Sequence, residues 1–238
     1  MLLFLSSILF ALPQHEDVSP LPRHGVHKVV SADYAQIIES QMIDDEVHTL
    51  GLWQNFLHED DETEMLVLAH LIVHHESRDW PNDYRGEFLW SIAPAALVSA
   101  KKNRIFPSVI LAQGILESGW GASPLSKNHN NLFGVKGQKG KNSIRVHTIE
   151  SVNGKKVRQW AYFQHFDSWE ESISHHGRLL GSSHYYAFAK PIAKNAQHYM
   201  TLIAPFYASQ PKYAQYVNEI IEDYNLDRWD RILWDALL

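Results

Sequence analysis

Residues 107–117 read PSVILAQGILE, a run that is apolar or small apart from Gln113 and one acidic residue, Glu117, at its end. An apolar stretch of this kind has no solvent face to offer as a helix and belongs inside a protein. Pro107 suits the first helical position, where its missing N–H would be unpaired anyway. Gly119 suits the stop, because glycine adopts the left-handed conformation that closes helices. The pattern therefore predicts a short, largely buried helix that carries one carboxylate at its C-terminal end, followed by Trp120 and Gly121. Two readings of Glu117 stand at this point. It can reach solvent as the helix exits, or it can sit in an apolar wall and keep its proton, as a general acid must near neutral pH.

The chain around this run has 238 residues, enough for one good-sized domain with a small appendage. Its apolar content of 45% and charged content of 20% are globular values, so a true core is expected. The net charge of −6 and the lack of a basic tail argue against a nucleic-acid partner. With no cysteine, disulfides, thiol nucleophiles and thiolate metal sites are all excluded. The apolar run 2–12, LLFLSSILFAL, would span roughly 16 Å as a helix, short of the ~30 Å hydrocarbon core. It is expected to be the apolar segment of an export signal, so no stable membrane insertion is predicted. The chain is placed in the periplasm, the cell envelope or the medium.

Residues 13–30 hold prolines, a glycine and scattered histidines without a period, so 1–30 reads as a signal segment and linker. Tyr34, Ile37, Ile38 and Met42 then fall at helical spacing, and the acidic run 59–62 suits the start of the apolar segment 65–73. Residues 31–84 are thus expected to form a helical N-terminal extension. Residues 81–86 look like a turn, and 94–103 like a helix with cations at its end. Ser168 with Glu171 makes a capping box for a helix to about Leu180, with Trp169, Ile173, His176 and Leu180 inward. Two more helices are expected near 191–203 and 211–224, and 229–238 forms an amphipathic tail that packs back or binds a partner protein.

Between these helical stretches the period changes. Residues 144–163 alternate, and Asn153-Gly154 is a strong two-residue hairpin signal. That turn pairs Val152 with Lys155 and Glu150 with Val157. Ile144, Val146, Thr148, Glu150, Val157, Ala161 and Phe163 then share one face. Arg145, His147, Lys156, Arg158, Trp160 and Tyr162 share the other. Glu150 is an acid on the apolar side, away from the basic residues. Paired carboxylates such as Glu117 and Glu150 suit glycosidic bond cleavage. Aromatics such as Trp120 and Tyr207 offer flat faces and a phenolic hydrogen bond to a sugar.

Several of these segments together resemble a known family. ILESGWG is followed by NNLFGVK at 130–136, HTIE at 147–150, YFQHFDSWEES at 162–172 and YASQPKYA at 207–214. In that order they are similar to the glucosaminidase-type peptidoglycan hydrolases, which include the C-terminal domain of the flagellar-rod hydrolase and several bacterial autolysins. The resemblance spans 106–226. It implies a lysozyme-like fold, α+β but predominantly α, with a small β-hairpin lobe, over a catalytic domain of residues 85–228. It also implies an endo-β-N-acetylglucosaminidase that cuts the β-1,4 bond after N-acetylglucosamine in peptidoglycan glycan strands, without a cofactor. Glu117 matches the general acid, Glu150 the glutamate of the β-lobe, and Tyr207 a tyrosine lining the site. Trp120, Asn131, Phe133 and Tyr213 are the candidate substrate-binding residues. The chain departs from the family at Gly114, Gln164 and Ser209-Gln210.

Three rival readings follow from the same residues. Muramidase or lytic-type cleavage of the same glycan uses similar parts. A metal-dependent hydrolase is raised by fifteen histidines, of which His70 and His74 share a helix face. No H-E-x-x-H pentad accompanies them, so no metal site is assigned. A wall-binding protein without activity would have no need of Glu117.

Overall fold

The run 107–117 does form a buried helix, and the other elements surround it. The computed structural model describes the backbone at residues 46–152 and 155–237, and side chains at 51–148, 158–231 and 233. In chain order the elements are α1 (Glu46–His58), α2 (Glu62–Glu76), α3 (Tyr84–Asn103), α4 (Pro107–Ser118) and α5 (Pro124–His129). The hairpin β1 (Ser143–Val152) and β2 (Lys155–Gln164) follows, then α6 (Trp169–Ser182) and a 3-10 turn (Ala187–Ala189). The chain closes with α7 (Ala196–Tyr207), α8 (Tyr213–Asp223) and α9 (Arg228–Leu237). The protein is mostly helical with one small antiparallel sheet, as expected. Among the described residues no helix is long and apolar enough to cross a membrane.

Helix α4 packs against α3, α6, α7, α8 and α9. All its residues from Pro107 to Ile115 are buried. Val109, Ile110 and Leu111 show no exposed surface, so trimming Ile110 or Leu111 to alanine is expected to cost about 2–5 kcal/mol. Both ends are stopped by identifiable devices. At the C-terminus Gly119 takes φ 58° and donates its N–H to the Ile115 carbonyl. At the N-terminus Phe106 gives no side-chain cap. Asp230 of α9 supplies it from 122 residues away, accepting from the Ser108 amide at 2.9 Å and the Ser108 hydroxyl at 2.6 Å. The described part of the segment that was expected to pack back or bind a partner packs on the body. Trp229 and Leu233 are buried beside Asp230, and the Trp229 ring lies 5.5 Å from Trp80 and 6.4 Å from Trp53. Trp53, Phe56, Leu71 and Ile72 belong to the same apolar core, so α1 and α2 are integral to the body. The helical pattern at 34–42 and the apolar run 2–12 lie outside the described residues.

One helix starts earlier than its sequence suggests. Residues 81–86 were expected to be a turn and 94–103 the helix, but α3 begins at Tyr84 and runs through Pro94. Asp83 caps it by accepting from the Arg85 amide, and burial of Phe88, Leu89 and Ile92 holds the first turns in the core. A proline leaves the carbonyl four residues earlier without its partner. That carbonyl belongs to Trp90, which is 38% exposed.

The hairpin register is the predicted one, with Glu150 opposite Val157, Thr148 opposite Gln159 and Ile144 opposite Phe163. Thr148 and Phe163 are buried on one face, while Arg145, His147, Arg158 and Trp160 are exposed on the other. The turn at 153–154 lies outside the described residues. The hairpin is tied to the body at its base, where the Gly137 amide donates to the Tyr162 carbonyl at 2.8 Å and the Gln164 amide to the Val135 carbonyl at 2.9 Å. A Cβ at Gly137 would sit 2.5 Å from the Ser143 Cβ, so that crossing requires glycine.

Candidate active site

The stretch ILESGWG leaves α4 through three consecutive left-handed residues, Gly119 (φ 58°), Trp120 (φ 61°) and Gly121 (φ 73°). For a residue as bulky as Trp120 this conformation costs about 1–2 kcal/mol. Packing offsets it: the Trp120 ring lies 4.9 Å from Tyr224, 6.0 Å from Phe88 and 6.4 Å from Tyr84. Ser118 pins the bend, donating to the Gly114 carbonyl at 2.6 Å and accepting from the Gly121 amide at 2.7 Å. A Cβ at Gly121 would come within 2.9 Å of Phe88 and Trp169. The bend is rigid, and it fixes the last turn of α4, where Glu117 stands.

Glu117 is half-buried. Burial raises its pKa to about 7, against an opposing hydrogen bond from the Tyr213 hydroxyl, which favours the charged form. That hydroxyl donates to Oε1 at 2.7 Å. The other oxygen, Oε2, receives no donor from the described residues. The side chain thus combines features of both readings open at the sequence level: it keeps a share of exposed surface, and burial raises its pKa.

A chain of polar contacts continues behind Tyr213. The Gln113 amide nitrogen lies 3.2 Å from the Tyr213 oxygen, and the Gln113 amide oxygen lies 2.9 Å from His176 Nε2. Gln113 is one turn before Glu117 on α4, so the two share a face. His176 is the inward residue of α6 and lies flat on Phe133, with ring centres 3.8 Å apart and planes 10° from parallel. Burial lowers its pKa to about 3, so the ring is neutral. Tyr207, the last residue of α7, stacks on Tyr213 at 5.1 Å and meets His176 edge-on at 5.9 Å. Its hydroxyl has no hydrogen-bond partner among the described residues, and burial raises its pKa well above the ordinary phenol value.

The residues picked out in the sequence thus fall into distinct places. Glu117, Tyr207 and Tyr213 come together, with Tyr213 rather than Tyr207 touching the carboxylate. Trp120 is 8% exposed and serves the bend. Asn131 and Phe133, expected to face substrate, are each 1% exposed and occupied internally. Asn131 donates to the Gln164 and Val135 carbonyls and accepts from the Val135 amide, joining the loop to the hairpin base. This is a correction with a simple cause: a loop rich in asparagine spends its side chains on its own backbone. The Glu150 side chain lies outside the described residues. Its backbone stands on β1 near the hairpin tip. Gln113 and His176 were missed as parts of the site. The available signal was a lone amide four residues before Glu117 in an otherwise apolar helix.

The comparison with known proteins agrees with this geometry. A profile described as Mannosyl-glycoprotein endo-beta-N-acetylglucosaminidase, of the glucosaminidase family, matches residues 93–226, more than half of the chain. The chain belongs to the glucosaminidase family. Among curated relatives, the protein named Autolysin from Enterococcus faecalis is 35% identical over 158 residues, covering 63% of this chain and 21% of its own length. The Exo-glucosaminidase LytG of Bacillus subtilis is 34% identical over 155 residues, covering 63% of this chain and 55% of its own length. The chain therefore spans only part of the length of these relatives. Among solved structures, the catalytic domain of the autolysin Auto from Listeria monocytogenes superposes with a TM-score of 0.57 at 32% identity. That match covers 63% of this chain and 89% of the Listeria domain. The lysozyme-like body is thus the family's body, while α1, α2, the first turns of α3 and α9 lie outside the residues that match the family profile.

Proposed function

We propose that this protein is an exported glycosidase that hydrolyses the glycan strands of peptidoglycan, cutting the β-1,4 bond after N-acetylglucosamine. The observation that carries the reading is Glu117, a carboxyl raised to about 7 by burial and held by one phenolic donor. Near neutral pH such an acid is substantially protonated and still able to give the proton up. Tyr213 occupies Oε1, so the transferable proton resides on Oε2. As the bond from the anomeric carbon to the leaving oxygen breaks, that oxygen takes the proton. Tyr213 then stabilises the carboxylate left behind through a charge-assisted hydrogen bond.

Glu150 is the second carboxylate of the proposed pair, acting on water as a base or stabilising charge at the sugar ring. The alternation of the strand sequence, in which Glu150 is in phase with Ile144, Val146 and Thr148, supports this. The names carried by the relatives, Autolysin and Exo-glucosaminidase, support a wall glycan as substrate. That polymer lies outside the cytoplasmic membrane, which supports export. The test is mass spectrometry of digested peptidoglycan. N-acetylglucosamine at the new reducing end is the expected result. N-acetylmuramic acid there refutes the bond assignment in favour of a muramidase, and an anhydro end indicates lytic-type cleavage.

A further inference from the structure

The contacts behind Glu117 have a direction, and that direction has a consequence for its proton. Glu117, Tyr213, Gln113 and His176 form a single file of hydrogen bonds with spacings of 2.7, 3.2 and 2.9 Å. Each middle member both gives and takes, so the file runs one of two ways. In the first, His176 Nε2–H donates to the Gln113 oxygen, the Gln113 N–H donates to Tyr213, and the Tyr213 O–H donates to Glu117. In the second, Gln113 is flipped: a protonated Glu117 donates to Tyr213, Tyr213 donates to the Gln113 oxygen, and Gln113 donates to His176 Nε2. A neutral imidazole bears one N–H, so the second direction moves the His176 proton to Nδ1.

The surroundings of His176 select between the two. Nδ1 is buried with no hydrogen-bond partner among the described residues. The ring is held by Phe133 on its face and Tyr207 at its edge. The second direction would leave a buried N–H without an acceptor, a kind of orphan that native proteins rarely tolerate. The first leaves only a free lone pair. We infer that Gln113 and His176 are positioning residues whose hydrogen-bond direction makes Tyr213 a donor to Glu117 and keeps the transferable proton on Oε2. In the reverse direction that proton would be spent on Tyr213, away from any leaving oxygen. The inference rests on Glu117 being the general acid. The other ionisable groups facing this file are the Tyr207 and Tyr186 hydroxyls and His175, the chain neighbour of His176. None of them bridges its members.

Two substitutions and one spectrum test this. His176→Phe keeps a flat ring on Phe133 and removes the N–H. His176→Gln gives up the ring and restores an amide N–H toward Gln113. Under a purely packing role, phenylalanine is the milder change. Under the positioning role, His176→Phe frees Gln113 to flip and draws Tyr213 off Glu117. kcat is then expected to fall about tenfold with KM little changed, and the alkaline limb of the pH profile to move upward. His176→Gln keeps the wild-type limb. A wild-type limb in a folded His176→Phe protein overturns the inference. Should that variant not fold, nitrogen-15 NMR of the histidines in the wild-type chain decides alone: an Nε2–H tautomer at His176 is expected, and an Nδ1–H tautomer refutes the direction. Loss of lysis in Glu117→Gln alongside either refuting result leaves the function standing without this device. Full activity in Glu117→Gln removes the function itself.

Discussion

Two acids stand at opposite ends of α4, and both are raised to about 7 by burial. Asp230 sits at the N-terminus and Glu117 at the C-terminus. The shared shift makes them look equivalent, but their hydrogen bonds do not. Asp230 has both oxygens engaged by Ser108, one by the amide and one by the hydroxyl, and is 6% exposed. Its position also suits a negative charge at the positive end of the helix. Glu117 has one oxygen held and one without a donor among the described residues, at the end of the helix that disfavours its charge. A raised pKa therefore does not by itself mark a catalytic acid. The free oxygen and the single polarising partner are what support the proposed role of Glu117, because a proton must leave from somewhere.

The comparison is broken most severely by removing each acid's charge in turn. Glu117→Gln is expected to reduce lysis of purified walls by roughly 10²–10⁴-fold, the usual contribution of a general acid, with the fold retained. Full activity in that variant would end the proposal. Glu150→Gln tests whether a second acid belongs with Glu117. Its loss is expected to be large but incomplete, roughly tenfold or more, and unchanged turnover would remove it from the mechanism. Tyr213→Phe takes away the one donor to Glu117. It is expected to lower kcat about tenfold and to move the alkaline limb upward, because that hydrogen bond favours the carboxylate.

The smallest effects on activity, and the clearest on stability, are expected at Asp230. A carboxyl with a raised folded pKa contributes stability that is complete below its unfolded pKa and is lost as pH rises through the folded value. For Asp230 the window runs from 3.8 to about 7, and for Glu117 from 4.5 to about 7. Asp230→Asn mimics the protonated acid, since one amide can accept from the Ser108 N–H and donate to its hydroxyl. It is expected to stabilise the fold at pH 8 by at most about 4 kcal/mol, and so to raise the Tm there, while leaving it nearly unchanged at pH 4, with lysis at wild-type level. Glu117→Gln is expected to shift stability in the same sense but by less, because Glu117 is only half-buried. Thermal melts at the two pH values check both. A pH-independent loss of stability in Asp230→Asn would contradict the raised pKa of Asp230.

Local features of this fold were legible in the chain, and distant pairings were not. The α4 boundaries follow from Pro107 and Gly119, and the hairpin register follows from a period of two and one turn. α6 was legible through Ser168 and Glu171: the Glu171 amide donates to the Ser168 hydroxyl at 3.2 Å, and the Glu171 carboxylate accepts at 2.8 Å from the amide of Asp167, one residue before the cap. Pro94 misled because proline usually opens a helix, and here the buried residues on the preceding turns overrode it. The Asp230 cap joins residues 122 apart, and no local pattern announces it. The site divides along the same line. Glu117 and the YASQPKYA tyrosines stood out, but which tyrosine touches the acid depended on how α8 packs on α4. Gln113 and His176 became functional candidates only once α6 was seen to bring the ring to the amide.

The most direct test follows the Glu117 carboxyl itself by carbon-13 NMR across pH and compares its midpoint with the alkaline limb of kcat/KM for wall glycan. Both are expected near 7, with the NMR signal absent in Glu117→Gln. A Glu117 carboxyl that titrates near 4.5, with lysis that persists undiminished well above it, would contradict the account.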